Sequence, residues 1–434
     1  MSGRHTELLL PFGSDGERFG RAEAAHLLRR AVFGASPERL ASALQAGLEA
    51  TVSELVAAAK APPDEPGGSG IEAFGLLPLV QAFLVGRALA PDGGELARAR
   101  LAERLMWMWH GHFATSDHKV RDAVLMHRQL ALLRRLGGGD FRALVRAMLV
   151  DGALLIWLDG ALNTAGDPNE NLARELLELF CLGRGHYSET DVREAARGLS
   201  GWRVEGRRVW FDPARFDAGE KRLLGRSGPL DCDGVADAVL AHPAAPRWVA
   251  RRLVSTFVCD SPWPELEAAL AEELRRRDFE VLPTLATLLR SRAFFAPAVR
   301  GNKIASPLEF VARARHALGL ELAPDAAVRL CSAAGQAPLL PPSVKGWDGG
   351  AAWAHPNAWL ARGRAALELA RLAPAPAGLE PLEAAHTWAE NLWPGQDRPA
   401  WWPALEQSLR RAAPAAPGAF IAEALLRAPE AHLV

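Results

Sequence analysis

Apolar residues recur at intervals of three and four along most of this chain, set among Ala, Leu, Arg and Glu, which is the spacing of amphipathic helices packed on a shared core. The pattern predicts a helix over Arg21–Phe33 closed by Gly34. Ser36-Pro37-Glu38 then opens the next helix, with a capping serine and a proline at the first helical position. Further helices are expected over Leu96–His110, Val120–Leu136, Phe141–Val150 and Pro168–Leu182, with short glycine-rich joints of which Gly137-Gly138-Gly139-Asp140 is the clearest. One stretch changes period: from Trp202 to Phe211 the residues alternate around a Glu205-Gly206 tip, the mark of a β-hairpin. The expected fold class is mainly α, a large multi-helical domain with a small β-hairpin near 202–211.

Two Pro/Gly-rich stretches, 62–70 and 373–378, punctuate the helices. They suggest an extended or disordered N-terminus over 1–18, a helical domain over 19–373 that contains the 62–70 loop, and a C-terminal helical tail over 379–434 packed on it. The longest apolar runs, Leu76–Ala90 and Ala143–Leu158, are interrupted by Gln81 and Arg87 or by Arg146 and Asp151, so they read as buried helices and not as membrane spans.

Composition narrows the function classes. At 49% hydrophobic and 23% charged residues, the 434-residue chain has ample core material and is not disordered as a whole. A net charge of -1 gives no bulk attraction to nucleic acid or to an acidic membrane. Cys181, Cys232, Cys259 and Cys331 form no C-x-x-C pair, which leaves separate buried thiols as the plain reading. Met1–Arg18 holds no apolar stretch of signal-peptide length, and cytoplasm is the expected compartment.

The most chemically loaded segment is Asp167–Gly183. Asp167, Pro168 and Glu170 fit a helix cap with a capping box. At ~100° per residue, Asn171, Glu175 and Glu178 share one face, and Arg174 beside them is spaced to pair with Glu170 or Glu178. Asn171, Arg174, Glu175 and Glu178 are the catalytic candidates; an ordinary salt-bridged surface is the competing reading. In Trp107-Met108-Trp109-His110-Gly111-His112-Phe113, Gly111 is expected to end a helix just after His110 and so bring two histidines to one point. That makes His110, His112, Glu175 and Glu178 a candidate ligand set for a divalent metal. The competing reading is a pair of helix-end histidines packed by Trp107, Trp109 and Phe113. Neither an H-E-x-x-H nor a phosphate-binding G-x-x-x-x-G-K motif is present, and Gly198-Leu199-Ser200-Gly201 fails as a nucleophile elbow because Trp202 stands where glycine is required.

Asn169 to Phe180, N-E-N-L-A-R-E-L-L-E-L-F, continuing through Leu182-Gly183 to Tyr187–Val192 and Gly201-Trp202, closely resembles the bacterial domain-of-unknown-function family DUF1800. His26–Arg30 with Phe33-Gly34, Trp109–Phe113, Gly219-Glu220-Lys221 and Pro341–Trp347 agree in order, so the resemblance spans nearly the whole chain. Phe216 departs from it, standing where the family often has histidine. The resemblance implies a large helical domain, includes exported relatives, and brings no activity with it. Two functions therefore compete: an enzyme with a His/carboxylate site between helices that holds a divalent metal, and a non-catalytic binding or assembly protein whose polar residues form a buried structural network.

Overall fold

A computed structural model describes residues 7–63, 68–374, 378–394, 398–411 and 416–434. Helix α1 (Arg21–Val32) stops at Phe33, whose left-handed backbone (φ 66°) turns the chain and sends its N–H to the Leu28 carbonyl. Ser36 then caps α2 (Pro37–Lys60), its Oγ accepting from Arg39 N at 3.2 Å with Pro37 at the first position. Of the 62–70 stretch, residues 64–67 lie outside the described residues, and a short helix already runs over Gly68–Phe74. A helix over Leu77–Ala88 follows.

The span expected as one helix from Leu96 is a single turn, Glu95–Arg98, followed by α3 (Arg100–His112), buried along its whole length. The next expected helix is also divided: a turn over Asp117–Val120 ends on left-handed Arg121, and Asp122 then caps α4 (Ala123–Leu136) by accepting from Val124 N and Leu125 N. The glycine joint after α4 has a packing cause. A Cβ on Gly137 would lie 2.5 Å from the Trp109 ring, and one on Gly138 would lie 2.5 Å from Leu282. Trp109, with its Nε1 donating to the Gly137 carbonyl at 2.8 Å, stacks on Phe141 and anchors an aromatic core that includes Phe113 and Phe180. Glu103, 1% exposed, accepts from Arg87 Nε at 2.6 Å and Arg134 Nε at 2.8 Å, tying the Leu77–Ala88 helix, α3 and α4 together. Removing one member of such a buried set costs about 3–5 kcal/mol.

Helix α5 (Asn171–Glu175) leads into one π-helical stretch over Leu176–Cys181. The expected hairpin forms between β1 (Trp202–Glu205) and β2 (Arg208–Phe211), in register Trp202↔Phe211 to Glu205↔Arg208, so its two turn residues are Gly206 and Arg207. A second hairpin, β3 (Lys221–Leu223) with β4 (Arg226–Gly228), turns on Leu224 and Gly225, both at positive φ. These are the two sheets among the described residues. Helix α6 (Ala245–Phe257) packs beside the Pro264–Arg276 helix, and α7 (Pro307–Leu318) starts at a Ser306/Glu309 capping box. After α8 (Pro356–Arg371), the helices Pro381–Leu392 and Pro417–Arg427 pack on α7 and α8, and Val434 exchanges backbone hydrogen bonds with Lys303. At the other end, Leu10 and Phe12 bond to the backbone of Arg292 and Arg290. All four cysteines are buried and unpaired. Among the described residues, no helix is long and apolar enough to cross a membrane.

Candidate functional site

Helix α3 does not break at Gly111. It continues through His112 and ends at Phe113, so the two imidazoles leave opposite sides of an intact helix, about 200° apart. Glycine is tolerated there because its missing Cβ makes room: a Cβ on Gly111 would sit 2.9 Å from Arg252 Nη2. His110 is fully buried between Trp107 and Trp347, with ring centroids 6.2 and 5.5 Å away, and neither of its nitrogens has a hydrogen-bond partner among the described residues. Burial pushes its pKa down to about 4, so it is neutral at pH 7. His112 places Nε2 2.8 Å from the Phe180 carbonyl. A carbonyl only accepts, so Nε2 carries the hydrogen and Nδ1 keeps its lone pair. Burial and the neighbouring Arg252 push the His112 pKa down to about 3.

The Asp167–Gly183 segment also differs from a single capped helix. Asp167 lies in a turn, bridged to Thr164, and the helix starts four residues later at Asn171, whose N–H is taken by Asn169 Oδ1 at 3.0 Å. Asn169 itself is held through Asn163, which donates to the Ala196 carbonyl. The local Asp-Pro-x-Glu signal thus loses to an asparagine ladder fixed by tertiary contacts, and Glu170 pairs with Arg174 at 3.0 Å instead of capping. From Leu176 the backbone bonds shift to the wider π pattern, which runs into Leu182 N and Gly183 N bonding to the Leu177 carbonyl. As at any helix end, the last-turn carbonyls have no partner within the helix, and two of them bond to side chains from other helices: Leu179 O accepts from Trp248 Nε1 at 2.8 Å and Phe180 O takes His112.

On the acidic face, Arg174 is clamped by Glu189 at 2.8 and 2.9 Å as well as by Glu170, and Asn171 Nδ2 reaches Asp159 at 3.4 Å. Glu178 accepts from Arg184 Nε at 2.6 Å and Tyr187 OH at 3.0 Å; these bonds outweigh its burial and lower its pKa. Glu175 is half-buried without a hydrogen-bond partner among the described residues, and burial together with the Glu178 charge raises its pKa. The structure brings Glu175 and Glu178 within electrostatic reach of each other and places His112 behind the π turn from them. His110 is held apart, between Trp107 and Trp347. Among the described residues, no group of three or more His, Cys, Asp or Glu side chains gathers closely enough to hold a metal ion.

What does gather is a trough alongside α6. The Pro341–Trp347 loop lies directly on α3, with Gly346 (φ 80°) so close that a Cβ there would be 2.4 Å from the Gly111 carbonyl oxygen. This contact sets Val344 and Lys345 opposite Trp248 and Arg251. They enclose a pocket of about 260 Å³ that reaches Gly111, His112 and Leu179. Leu179, Trp248, Arg251 and Lys345 also line an adjoining cleft of about 880 Å³, walled by Leu182, Pro243 and Pro264 and edged by Glu178, Arg184 and Arg247. Five Arg and Lys side chains line the two spaces against two carboxylates, Glu178 and Glu267. Arg184 is paired with Glu178, whereas Arg247, Arg251, Arg252 and Lys345 make no ion pair among the described residues; Lys345 acts on Glu175 and Glu178 only at longer range. Arg252 donates from Nη2 to the Met108 carbonyl at 3.0 Å, and burial pushes its pKa down to about 10, so it stays charged at pH 7. Another cleft, of about 810 Å³ beside Lys60–Pro63, mixes the two kinds of cation: its Arg128, Arg134 and Arg207 are ion-paired, whereas its Lys60 and Arg135 make no ion pair among the described residues.

Sequence reasoning passed over α6 and Lys345. A signal was there: Ala245–Phe257 contains three arginines and no Asp or Glu, so no cation on it has an acidic partner on its own helix. No curated protein and no solved structure matches the chain. The family model described as a protein of unknown function, DUF1800, matches residues 26–433, nearly the full length, and the chain belongs to that family.

Proposed function

We propose that this protein binds an anionic ligand in the trough beside α6, which is the binding alternative of the two expected functions. The observation that carries the reading is the set Arg247, Arg251, Arg252 and Lys345, four cations on one trough without counter-ions of their own among the described residues. Arg247, Arg251 and Lys345 are exposed and hydrated, and with the half-buried Arg252 they give the trough a local positive potential that attracts an anion. An oxyanion at ~4 Å from one of them gains about 4 kcal/mol at an effective dielectric near 20. The Trp248 ring, Leu179, Leu182 and the prolines offer the rest of the ligand an apolar wall. The fitting class is a carboxylate or phosphate carried on an apolar body.

Calorimetric titration of the full chain with inorganic phosphate and with adipate tests this and separates the two head groups. Binding of at least one, with Kd on the order of 1 mM or tighter (about -4 kcal/mol), is expected, along with at least tenfold weakening in Arg251→Ala/Lys345→Ala and a decline with added salt. If neither anion binds, or the double variant binds as tightly as the parent, the reading is wrong.

A second reading, the His/carboxylate enzyme with a divalent metal, draws on His112. Its Nε2–H is fixed on a carbonyl and its Nδ1 lone pair is left over, the arrangement of a metal-ligating histidine. Glu175 and Glu178 do not gather with His112 closely enough to hold an ion among the described residues, so this reading requires the three to approach one another on binding; Glu175 is the group whose raised pKa suits proton transfer.

A further inference from the structure

The inner pocket of the trough, about 260 Å³, has a neutral hydrogen-bond acceptor in its wall. His112 lines this space with its ring fixed in one state: Nε2–H donates to the Phe180 carbonyl at 2.8 Å, and the Nδ1 lone pair has no partner among the described residues. The two histidines of α3 differ in access. Both nitrogens of His110 are shut inside the core, whereas Nδ1 of His112 keeps accessible surface, and the pocket is the space that His112 borders. Burial and the nearby Arg252 guanidinium keep the His112 ring neutral at pH 7, so Nδ1 accepts and cannot donate.

Most other polar side chains around the pocket only donate. Arg251, Arg252 and Lys345 carry N–H groups alone, and the Trp248 indole N–H is already given to the Leu179 carbonyl. Ser255 is the one further lining side chain that can accept, and its own O–H goes to the Arg252 carbonyl at 3.0 Å. A head group in this pocket therefore meets cations and a neutral lone pair side by side. A bare carboxylate answers the cations and leaves Nδ1 without a hydrogen once water is displaced, and an acceptor buried unpaired is unfavourable. An alkyl phosphate fares no better, because with a second pKa of about 6 it is mostly dianionic at pH 7 and has no hydrogen to give. A hydroxyl on the carbon next to a carboxylate supplies that hydrogen and leaves the negative charge intact.

We propose that the trough takes a 2-hydroxycarboxylate on an apolar body, its carboxylate among Arg251, Arg252 and Lys345 and its hydroxyl donating to His112 Nδ1. This rests on the anion-binding reading above and narrows it, making His112 the residue that sets specificity. The alkyl part is left to the apolar surface that Leu179 and Trp248 share with the adjoining cleft. A site that pairs with a ligand hydroxyl tells it from the analogue lacking one far better than an apolar wall tells one methylene from two.

The test is calorimetric titration of the full chain at pH 7 with hexanoate, 2-methoxyhexanoate and each enantiomer of 2-hydroxyhexanoate, with inorganic phosphate in parallel, repeated on His112→Phe and Ser255→Ala. One enantiomer of the hydroxy acid is expected to bind at least fivefold (about 1 kcal/mol) more tightly than hexanoate or the methoxy acid, which has no O–H to donate. That preference should drop to about twofold or less in His112→Phe and persist in Ser255→Ala. Acids that bind alike in the parent overturn the proposal, as does a preference that survives in His112→Phe. Should His112→Phe misfold, Ser255→Ala decides: a preference kept there leaves His112 as the acceptor, and a preference lost there assigns the hydroxyl to Ser255 and overturns the proposal. Phosphate binding beside acids that fail to bind or are not told apart refutes this inference and leaves the anion-binding reading standing, whereas silence from phosphate and every acid refutes both.

Discussion

Gly346→Ala probes the contact that seats the Val344–Lys345 side of the trough on α3. The substitution has two costs. Gly346 has φ 80°, where an L side chain is strained by about 1–2 kcal/mol. The new Cβ would also lie 2.4 Å from the Gly111 carbonyl oxygen, 3.2 Å from its carbonyl carbon and 3.4 Å from its Cα, all of them backbone atoms of buried α3. No side chain can rotate away, so the loop has to lift by roughly 0.8 Å to restore an ordinary contact, and overpacking of that kind costs about 1–3 kcal/mol. Gly319→Ala is the matched control: it has φ 64° with nothing within 4 Å of the added methyl, so it bears the backbone strain alone. At about 2.1 cal/mol/K per residue the unfolding entropy of a chain this long is large, so even ~3 kcal/mol lowers Tm by only about 3 °C. The sharper assay is therefore hydrogen exchange at the Lys345 and Gly346 amides, which bond to Ser343, read beside Tm and the phosphate titration. Faster exchange in the loop and weaker phosphate binding are expected in Gly346→Ala and not in Gly319→Ala. If the two variants behave alike in every readout, the Gly111–Gly346 contact does not hold the trough in shape.

Acid should destabilise the protein well before its carboxylates are all protonated. Burial pushes the pKa of His110 to about 4, of His112, His316 and His432 to about 3, and of His26 well below its ordinary value. These groups are neutral when folded and protonate near 6.5 when unfolded, so their contribution is complete above that pH and is lost as pH falls toward the folded values, at up to about 1.4 kcal/mol per pH unit each. Tm should fall steeply between pH 7 and 5; a flat profile would refute this. For the metal reading, elemental analysis of the native protein should show a divalent ion that is lost from Glu175→Ala/Glu178→Ala, and equal metal content in the two proteins would remove that reading.

How much of this was legible in the sequence follows from how local each signal is. The Ser36 cap, the glycine joint after α4 and the β1–β2 hairpin depend on residues a few positions apart; the first two formed as read, and the hairpin formed with its turn one residue further on, at Gly206 and Arg207 and not at Glu205-Gly206. The β3–β4 hairpin has three-residue strands, too short for alternation to show, with Leu224 in a conformation leucine rarely adopts. Gly111 was misleading because a glycine inside a helix costs only about 1 kcal/mol relative to alanine, and here the empty space is filled by Arg252. The trough was least legible of all: Gly111, Leu179, Trp248 and Lys345 come from four distant segments, and only the acid-free run of arginines on α6 hinted at it.

The Asp167–Gly183 segment carries its importance differently from what its acidic residues suggest. Glu170, Arg174 and Glu178 spend their charge on Glu189, Arg184, Tyr187 and one another, as exposed helix faces commonly do. The backbone at the end of the helix matters more. Leu179 and Phe180 lie in its last turn, where carbonyls have no partner within the helix, and they fix Trp248 and His112, one on each wall of the trough. Gly183 (φ 85°) lets the Trp248 ring close against that turn, since a Cβ there would lie 2.6 Å from the ring. The segment thus acts through its backbone. Of its carboxylates Glu178 borders the trough, while the Leu179 and Phe180 carbonyls hold Trp248 and His112 in place on its walls.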